Sequence, residues 1–146
     1  RANAQSAYQI NLDIPDKIIE TGYLDLGGVA PDGGSISVNS YYMELNESPF
    51  IPIMGEIHYT RIPNEQWEEQ ILKVKSGGVN VICTYVFWNI HEETEGVFDW
   101  DGDKDLRKFI SLCQKHNMKT LVRIGPFCHG EIRNGVYRIG FMGVRS

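Results

Sequence analysis

The sequence predicts an α/β fold built from consecutive βαβ units, and three features carry that expectation. Apolar residues recur at helical spacing between Pro63 and Gly78, and the same spacing returns between Asp103 and Asn117. Each of these stretches leads at once into an apolar run, Val79 to Trp88 and then Met118 to Phe127. A further apolar run, Phe50 to Tyr59, precedes the first helix. Strand, helix, strand, helix, strand with short connections is the order of right-handed βαβ units. Such units build either an open doubly wound sheet or a closed barrel.

The chain has 146 residues, enough for one domain with a core. Apolar residues make up 42% and charged residues 23%, the balance of a globular protein. A net charge of −5 argues against nucleic acid and against an anionic membrane surface, both of which reward clustered Lys and Arg. No apolar run reaches the roughly 20 residues needed to cross a bilayer. A neutral polar ligand such as carbohydrate suits the 11% aromatic content. Cys83, Cys113 and Cys128 cannot all pair and show no CxxC spacing, and Cys83 and Cys113, which sit in apolar patterns, read as buried thiols. Cys128-His129 is no metal pair, because neighbours on an extended chain point to opposite faces and no second cluster exists. No metal and no cofactor is expected.

Taken in order, residues 1–35 are polar and rich in Gly, Asp and Asn, an irregular leader with turns at Gly27-Gly28 and Asp32-Gly33-Gly34. Ala2-Asn3-Ala4 has the small-x-small form of a secretory cleavage site, which favours export to a periplasmic or extracellular space. Ile36-Ser-Val38 and Tyr41 to Leu45 alternate as strands do, and Asn46-Glu-Ser-Pro49 supplies a turn before the strand that ends in Gly55-Glu-Ile-His-Tyr59.

The first helix starts at Pro63-Asn64, carries Glu65, Glu68 and Glu69 in its opening turns, and presents Trp67, Ile71 and Val74 as one stripe. Lys73 and Lys75 sit at its carbonyl end and Gly77-Gly78 stops it. The run from Val79 to Trp88 is apolar on both faces except at Asn80 and Thr84, as a strand buried between core and covering helices requires. Asp103 is the expected cap of the second helix, which carries Leu106, Phe109, Ile110 and Cys113 and stops at Asn117.

No GxGxxG or GxxxxGK[ST] follows the first strand, which removes the usual nucleotide argument for an open sheet. The strand ends carry His58-Tyr59, Trp88-Asn89 and His129-Gly-Glu131 instead. Polar and aromatic groups at carboxyl ends of strands are where barrel sites are built. Glu131 follows a buried strand and the breakers Gly125-Pro126, which puts it at a rim. Tyr85 and Trp88 lie late in the second strand, the latter able to stack on a sugar face.

Several ordered blocks now combine: Ile57-His58-Tyr59-x-Arg61-x-Pro63, Gly78-x-Asn80, Thr84-Tyr85-Val86-x-Trp88-Asn89-x-His91-Glu92 and Arg123-x-Gly125-Pro126-Phe127. Over residues 36–135 the chain resembles the amino-terminal part of family 35 glycoside hydrolases, the retaining β-galactosidases. The resemblance implies the first three βα units of a (β/α)₈ TIM barrel, preceded by an amino-terminal β segment. It implies exo-cleavage of terminal β-galactosyl residues. Tyr85 matches the tyrosine lining the galactose pocket, and Gly130-Glu131 matches the Ala-Glu pair beside the sugar hydroxyls. A carboxylate grips vicinal hydroxyls through charge-assisted bonds. His129 stands where relatives carry Cys or Asn, and Glu92 matches a glutamate bracing the rim. The expected substrate-binding set is thus Tyr85, Trp88, Glu92, His129, Gly130 and Glu131.

The resemblance also implies what is missing. Retaining hydrolysis uses two carboxyl groups about 5–5.5 Å apart, here expected after the fourth and seventh strands. Both catalytic glutamates are therefore expected beyond residue 146, leaving this chain inactive by itself. The partner is then a β-galactoside, with self-association through the open barrel edge. A non-catalytic carbohydrate-binding module is the alternative. After Asn134-Gly135 the family continues Gly-Leu-Pro-x-Trp-Leu, whereas this chain reads Val136-Tyr-Arg-Ile-Gly-Phe-Met-Gly-Val-Arg-Ser146. One choice of codons for Gly-Gly-Leu-Pro-Asp-Trp-Leu-Tyr-Gly-Arg-Pro-Gln, with a single G deleted, translates into this tail residue for residue. Residues 136–146 are accordingly expected to be an aberrant, out-of-frame tail.

Overall fold

The computed structural model describes residues 8–13, 15–22, 24–125, 128 and 130–132. His129 and the tail from residue 136 onwards lie outside the described residues. The chain divides into two units, Arg1–Ile51 and Pro52–Ser146.

The first unit holds a four-stranded antiparallel sheet, β1 (Gly27–Val29), β2 (Ser35–Val38), β3 (Met43–Leu45) and β4 (Ser48–Phe50), in sequential order. Asn46 and Glu47 both adopt positive φ, 50° and 62°, the geometry of a two-residue hairpin whose twist matches its strands. The Asn46 side chain also accepts the Ser35 amide at 2.8 Å, tying β2 to that turn. Pro49 is tolerated because β4 is an edge strand. Contrary to the sequence expectation, Gly27-Gly28 is no turn but pairs with Ser37 and Ile36. The reason is close backbone approach: Gly27 has φ +148°, and a Cβ there would meet the Ile36 carbonyl. The turn at Asp32-Gly33 is present, with the Asp32 carboxylate accepting the Gly34 amide at 3.0 Å.

The second unit carries three parallel strands, β5 (Met54–Glu56), β6 (Val81–Val86) and β7 (Lys119–Ile124), again in sequential order. Helix α1 (Trp67–Ser76) lies between β5 and β6; the one-turn α2 (Trp88–His91) and α3 (Leu106–Lys115) lie between β6 and β7. β6 is buried along all but its last residue, as its two-sided apolarity demands. Trp67, Ile71, Ile82, Phe109, Cys113 and Tyr59 form the core between helices and sheet. The Trp67 indole N–H donates to the carbonyls of Tyr59 at 3.0 Å and Ile62 at 2.9 Å, so the entry to α1 is fixed from inside the core.

The helix stops fall where the sequence puts them. Gly78 has φ +89° after α1, and Asn117 has φ +55° after α3. The cap of α3 does not. Asp105, immediately before the helix, accepts the Lys108 amide at 2.8 Å, three residues on as a cap requires. Asp103 instead accepts the backbone and side-chain N–H groups of Asn64, at 2.7 and 2.9 Å, holding the segment that leads into α1. Among the described residues no helix is long and apolar enough to cross a membrane.

Candidate functional site

The carboxyl ends of the three parallel strands bring one set of side chains together. Parallel register places Tyr85 of β6 opposite Arg123 of β7, and Cys83 of β6 opposite Glu56 of β5. Residues two apart share a sheet face, so Glu56, Tyr85 and Arg123 converge on one side. The guanidinium carbon of Arg123 stands 3.9 Å from the centre of the Tyr85 ring, and its Nη2 bonds the Glu56 carboxylate. His58, just past β5, lies 5.6 Å from Tyr85 and 5.1 Å from Phe87 between ring centres. Phe87 stacks on Tyr85 at 5.7 Å, and the guanidinium carbon of Arg61 stands 5.5 Å from the centre of the Phe87 ring. Cys128 is fully buried in the same cluster, and Ile132 packs against it.

Glu131 belongs to this neighbourhood electrostatically. Burial pushes the Tyr85 phenol above its ordinary value, and the charge of Glu131 pushes it further. Burial lowers His58 below the usual histidine value, Arg61 lowers it further, and Glu131 partly offsets both. Both groups are therefore neutral near pH 7, a phenol that donates and an imidazole whose charge is suppressed. One carboxylate oxygen of Glu131, Oε2, is shielded from solvent and has no hydrogen-bond partner among the described residues. The same holds for Nδ1 of His58 and Nε of Arg123. Hydroxyl groups of a neutral ligand can satisfy unpaired buried acceptors and donors of this kind.

Of the remaining expected residues, Trp88 packs against the same cluster of Tyr85, Phe87 and Cys128. Trp88 does not end the strand: it opens α2, because the Glu92 amide reaches back to its carbonyl at 2.8 Å. Its indole N–H bonds one oxygen of the buried Glu92, whose other oxygen accepts the Gly96 amide at 2.6 Å. Glu92 thus ties α2 to the turn at Gly96. Gly130 is exposed, and a Cβ built on it meets none of the described residues within 4 Å. There is room for the alanine that the resemblance implies at this position. His129 lies outside the described residues. All three cysteines are buried and unpaired, and burial raises each thiol's pKa, which keeps them protonated and unreactive. Among the described residues no group of three His, Cys, Asp or Glu side chains could hold a metal.

Of the four contributors Glu56, His58, Arg61 and Arg123, the sequence picks out only His58, as a strand-end residue, and none belongs to the expected substrate-binding set. Three of them, His58, Arg61 and Arg123, stand inside the motif blocks quoted above, which was the available signal; Glu56 directly precedes the first block.

Comparison with known proteins now bears on this arrangement. The family model for Glycosyl hydrolases family 35 matches residues 42–140. Beta-galactosidase 11 of Oryza sativa subsp. japonica is 49% identical over 81 residues, covering 56% of this chain and 10% of that protein. Beta-galactosidase 13 of Arabidopsis thaliana is 46% identical over 107 residues, covering 73% of this chain and 12% of that protein. An Exo-beta-D-glucosaminidase of Pyrococcus horikoshii is 39% identical over 95 residues, covering 62% and 12%. The matched segment spans only 10% to 12% of the length of these relatives. With residues 42–140, more than half its length, inside the family model, the chain belongs to glycosyl hydrolases family 35.

Proposed function

We propose that this chain is the amino-terminal part of a retaining exo-β-galactosidase, forming the first three βα units of a (β/α)₈ barrel. It contributes one wall of the sugar pocket and neither catalytic glutamate. The observation that carries this reading is the shielded, unpaired Oε2 of Glu131 in the electrostatic neighbourhood of Tyr85. A sugar hydroxyl would supply the missing donor, and aromatic faces would cover its apolar side. Three parallel strands in sequential order, with helices between them, support the barrel reading. Beta-galactosidases among the relatives support galactose as the sugar. In this reading Trp88, Glu92, His129 and Gly130 complete the wall, Glu92 by bracing it.

Two consequences belong to the same reading. Three of about eight βα units leave β5 and β7 as open edges, and Ile124 at the end of β7 is 80% exposed. The isolated chain should hide those edges by self-association, visible as oligomers in size-exclusion chromatography. The polypeptide is exported, which cell fractionation tests.

The deciding experiment has two arms. The purified 146-residue chain should release no nitrophenol from a nitrophenyl β-galactoside. The coding DNA past Ser146 should encode, in one frame, an Asn-Glu at a fourth strand end and a later strand-end Glu. In the polypeptide carrying them, Glu131→Gln should lower kcat/KM roughly 10- to 100-fold, the loss of a charge-assisted bond of about 1.5–3 kcal/mol. Turnover by the short chain that is indifferent to Glu131→Gln would defeat the reading. The unpaired carboxylate equally suits a carbohydrate-binding module without turnover, and saturable galactose binding by the short chain would favour that alternative. Glucosamine serves as the comparison sugar, given the glucosaminidase among the relatives.

A further inference from the structure

We propose that Arg123 is a positioning residue for Tyr85: its guanidinium, anchored by the Glu56 carboxylate, lies over the tyrosine ring and sets the direction the phenol faces. The inference rests on the reading of Tyr85 as a wall of the sugar pocket, and adds to that wall one residue from each flanking strand.

The geometry follows from register. Tyr85 and Arg123 are direct partners in the parallel β6–β7 pair, so a long side chain at 123 lies across its neighbour's ring. The 3.9 Å from guanidinium carbon to ring centre is well inside cation–π range. A single anchor would leave the arginine free to rotate away. Glu56 supplies the second anchor: it pairs with Cys83, two residues before Tyr85 on the same face, and its carboxylate bonds Nη2 of Arg123. The ion pair therefore bridges the two outer strands over the middle one. The same carboxylate stands 3.5 Å from Nε2 of His58, which holds the far side of the arrangement. Tyr85 is thus bounded by Arg123, Phe87 and His58.

A stabilising role alone does not account for this. The side chains of Arg123 and Glu56 are 37% and 43% exposed, so their attraction is screened and adds little to folding. A planar, always charged group is nonetheless what stacking on a ring while gripping a carboxylate demands. The Nε of Arg123, buried and unpaired among the described residues, shows that the guanidinium is held for its contacts to Tyr85 and Glu56 rather than for full hydrogen bonding.

The test uses the 146-residue chain with ring-labelled tyrosine, followed by NMR in the wild type and in Arg123→Met, Arg123→Lys and Glu56→Gln. Tyr59, in the core with Trp67 and Phe109, is the folding reference. In Arg123→Met the Tyr85 ring signal should shift and lose its contacts to Phe87. Glu56→Gln should give part of that shift, because the cation remains but is untethered. Arg123→Lys, which keeps the charge but not the plane, should return the signal only part of the way to its wild-type position, and the Tyr59 signal should hold throughout. Unchanged Tyr85–Phe87 contacts in both Arg123→Met and Glu56→Gln overturn the inference. Loss of the Tyr59 signal in every variant, Arg123→Lys included, also overturns it, since that marks a general structural role. Should Arg123→Met alone unfold, Glu56→Gln decides on the same signal. Galactose added to these samples reports on the pocket only, so failure of the sugar reading leaves the displacement of Tyr85 to be judged separately.

Discussion

The hydroxyl of Tyr59 donates to Nε2 of His91 across 2.6 Å, joining the segment after β5 to the loop after β6. The direction of that bond follows from the other ring nitrogen. Nδ1 of His91 faces the Asp99 carbonyl at 2.8 Å, an acceptor only, so Nδ1 carries the proton and Nε2 must accept. Trp100 stacks on the ring at 4.0 Å, and His91 is only 1% exposed.

A pH dependence of stability follows. Burial lowers the His91 pKa below the ordinary 6.5. Below that value the unfolded chain binds a proton that the folded chain refuses, so stability present above 6.5 is lost as the pH falls toward the folded pKa. His58 is lowered as well and acts in the same window. Chemical denaturation midpoints should fall as the pH drops from about 7 to about 5, and His91→Gln should flatten that slope without abolishing it. A midpoint flat across this range, or one that rises with acid, contradicts the assignment.

Trp67 should be the most sensitive position of the core. Its side chain is fully buried, and Trp67→Ala should cost about 3–5 kcal/mol through the cavity alone. Trp67→Phe keeps an aromatic ring but strips the donor shared by the Tyr59 and Ile62 carbonyls, at a cost of about 1–3 kcal/mol. Urea unfolding followed by circular dichroism separates the two, and a Trp67→Phe variant as stable as the wild type would show that the indole N–H contributes nothing.

The Glu92 carboxylate holds Trp88 on one side and the Gly96 amide on the other. Glu92→Leu should leave both donors unsatisfied and loosen the loop ahead of the core. The expected signature is faster hydrogen exchange at Gly96, by about 10- to 100-fold, while Ile82 in β6 exchanges as before. Exchange at Gly96 that matches the wild type would mean the carboxylate does not close this loop.

Two glycines should respond in opposite ways to alanine. At Gly27 the added carbon meets the Ile36 backbone under a φ of +148°, so Gly27→Ala should unpair β1 from β2. At Gly130 none of the described residues stands within 4 Å, so Gly130→Ala should leave stability within about 0.5 kcal/mol of wild type. Cross-strand amide exchange reads the first, and a thermal midpoint reads the second.

Local signals made much of the second unit legible. Trp67, Ile71 and Phe109 repeat at helical spacing, and Gly77-Gly78 and Asn117 mark the stops, so α1 and α3 could be read without knowing what they pack on. The two-sided apolarity of β6 announced its burial in the same way. β1 was invisible because Gly27-Gly28-Val29 has turn composition and becomes a strand only by pairing. Trp88 read as strand because the turn it opens depends on Glu92, four residues later. The cap of α3 was misplaced by two residues because Asp103 and Asp105 are equally good acceptors, and the choice fell to Asn64 on a distant segment.

The sequence by itself determined the alternation of β5, α1, β6, α3 and β7, the family and the choice of Tyr85 and Glu131 as residues of interest. Tertiary structure alone decided that Glu56, Tyr85 and Arg123 share a face, since Arg123 and Glu56 are 67 residues apart. The physical reason is range. Periodicity and capping act within a few residues and are written into the chain, whereas a site assembled across parallel strands exists only once register has aligned them.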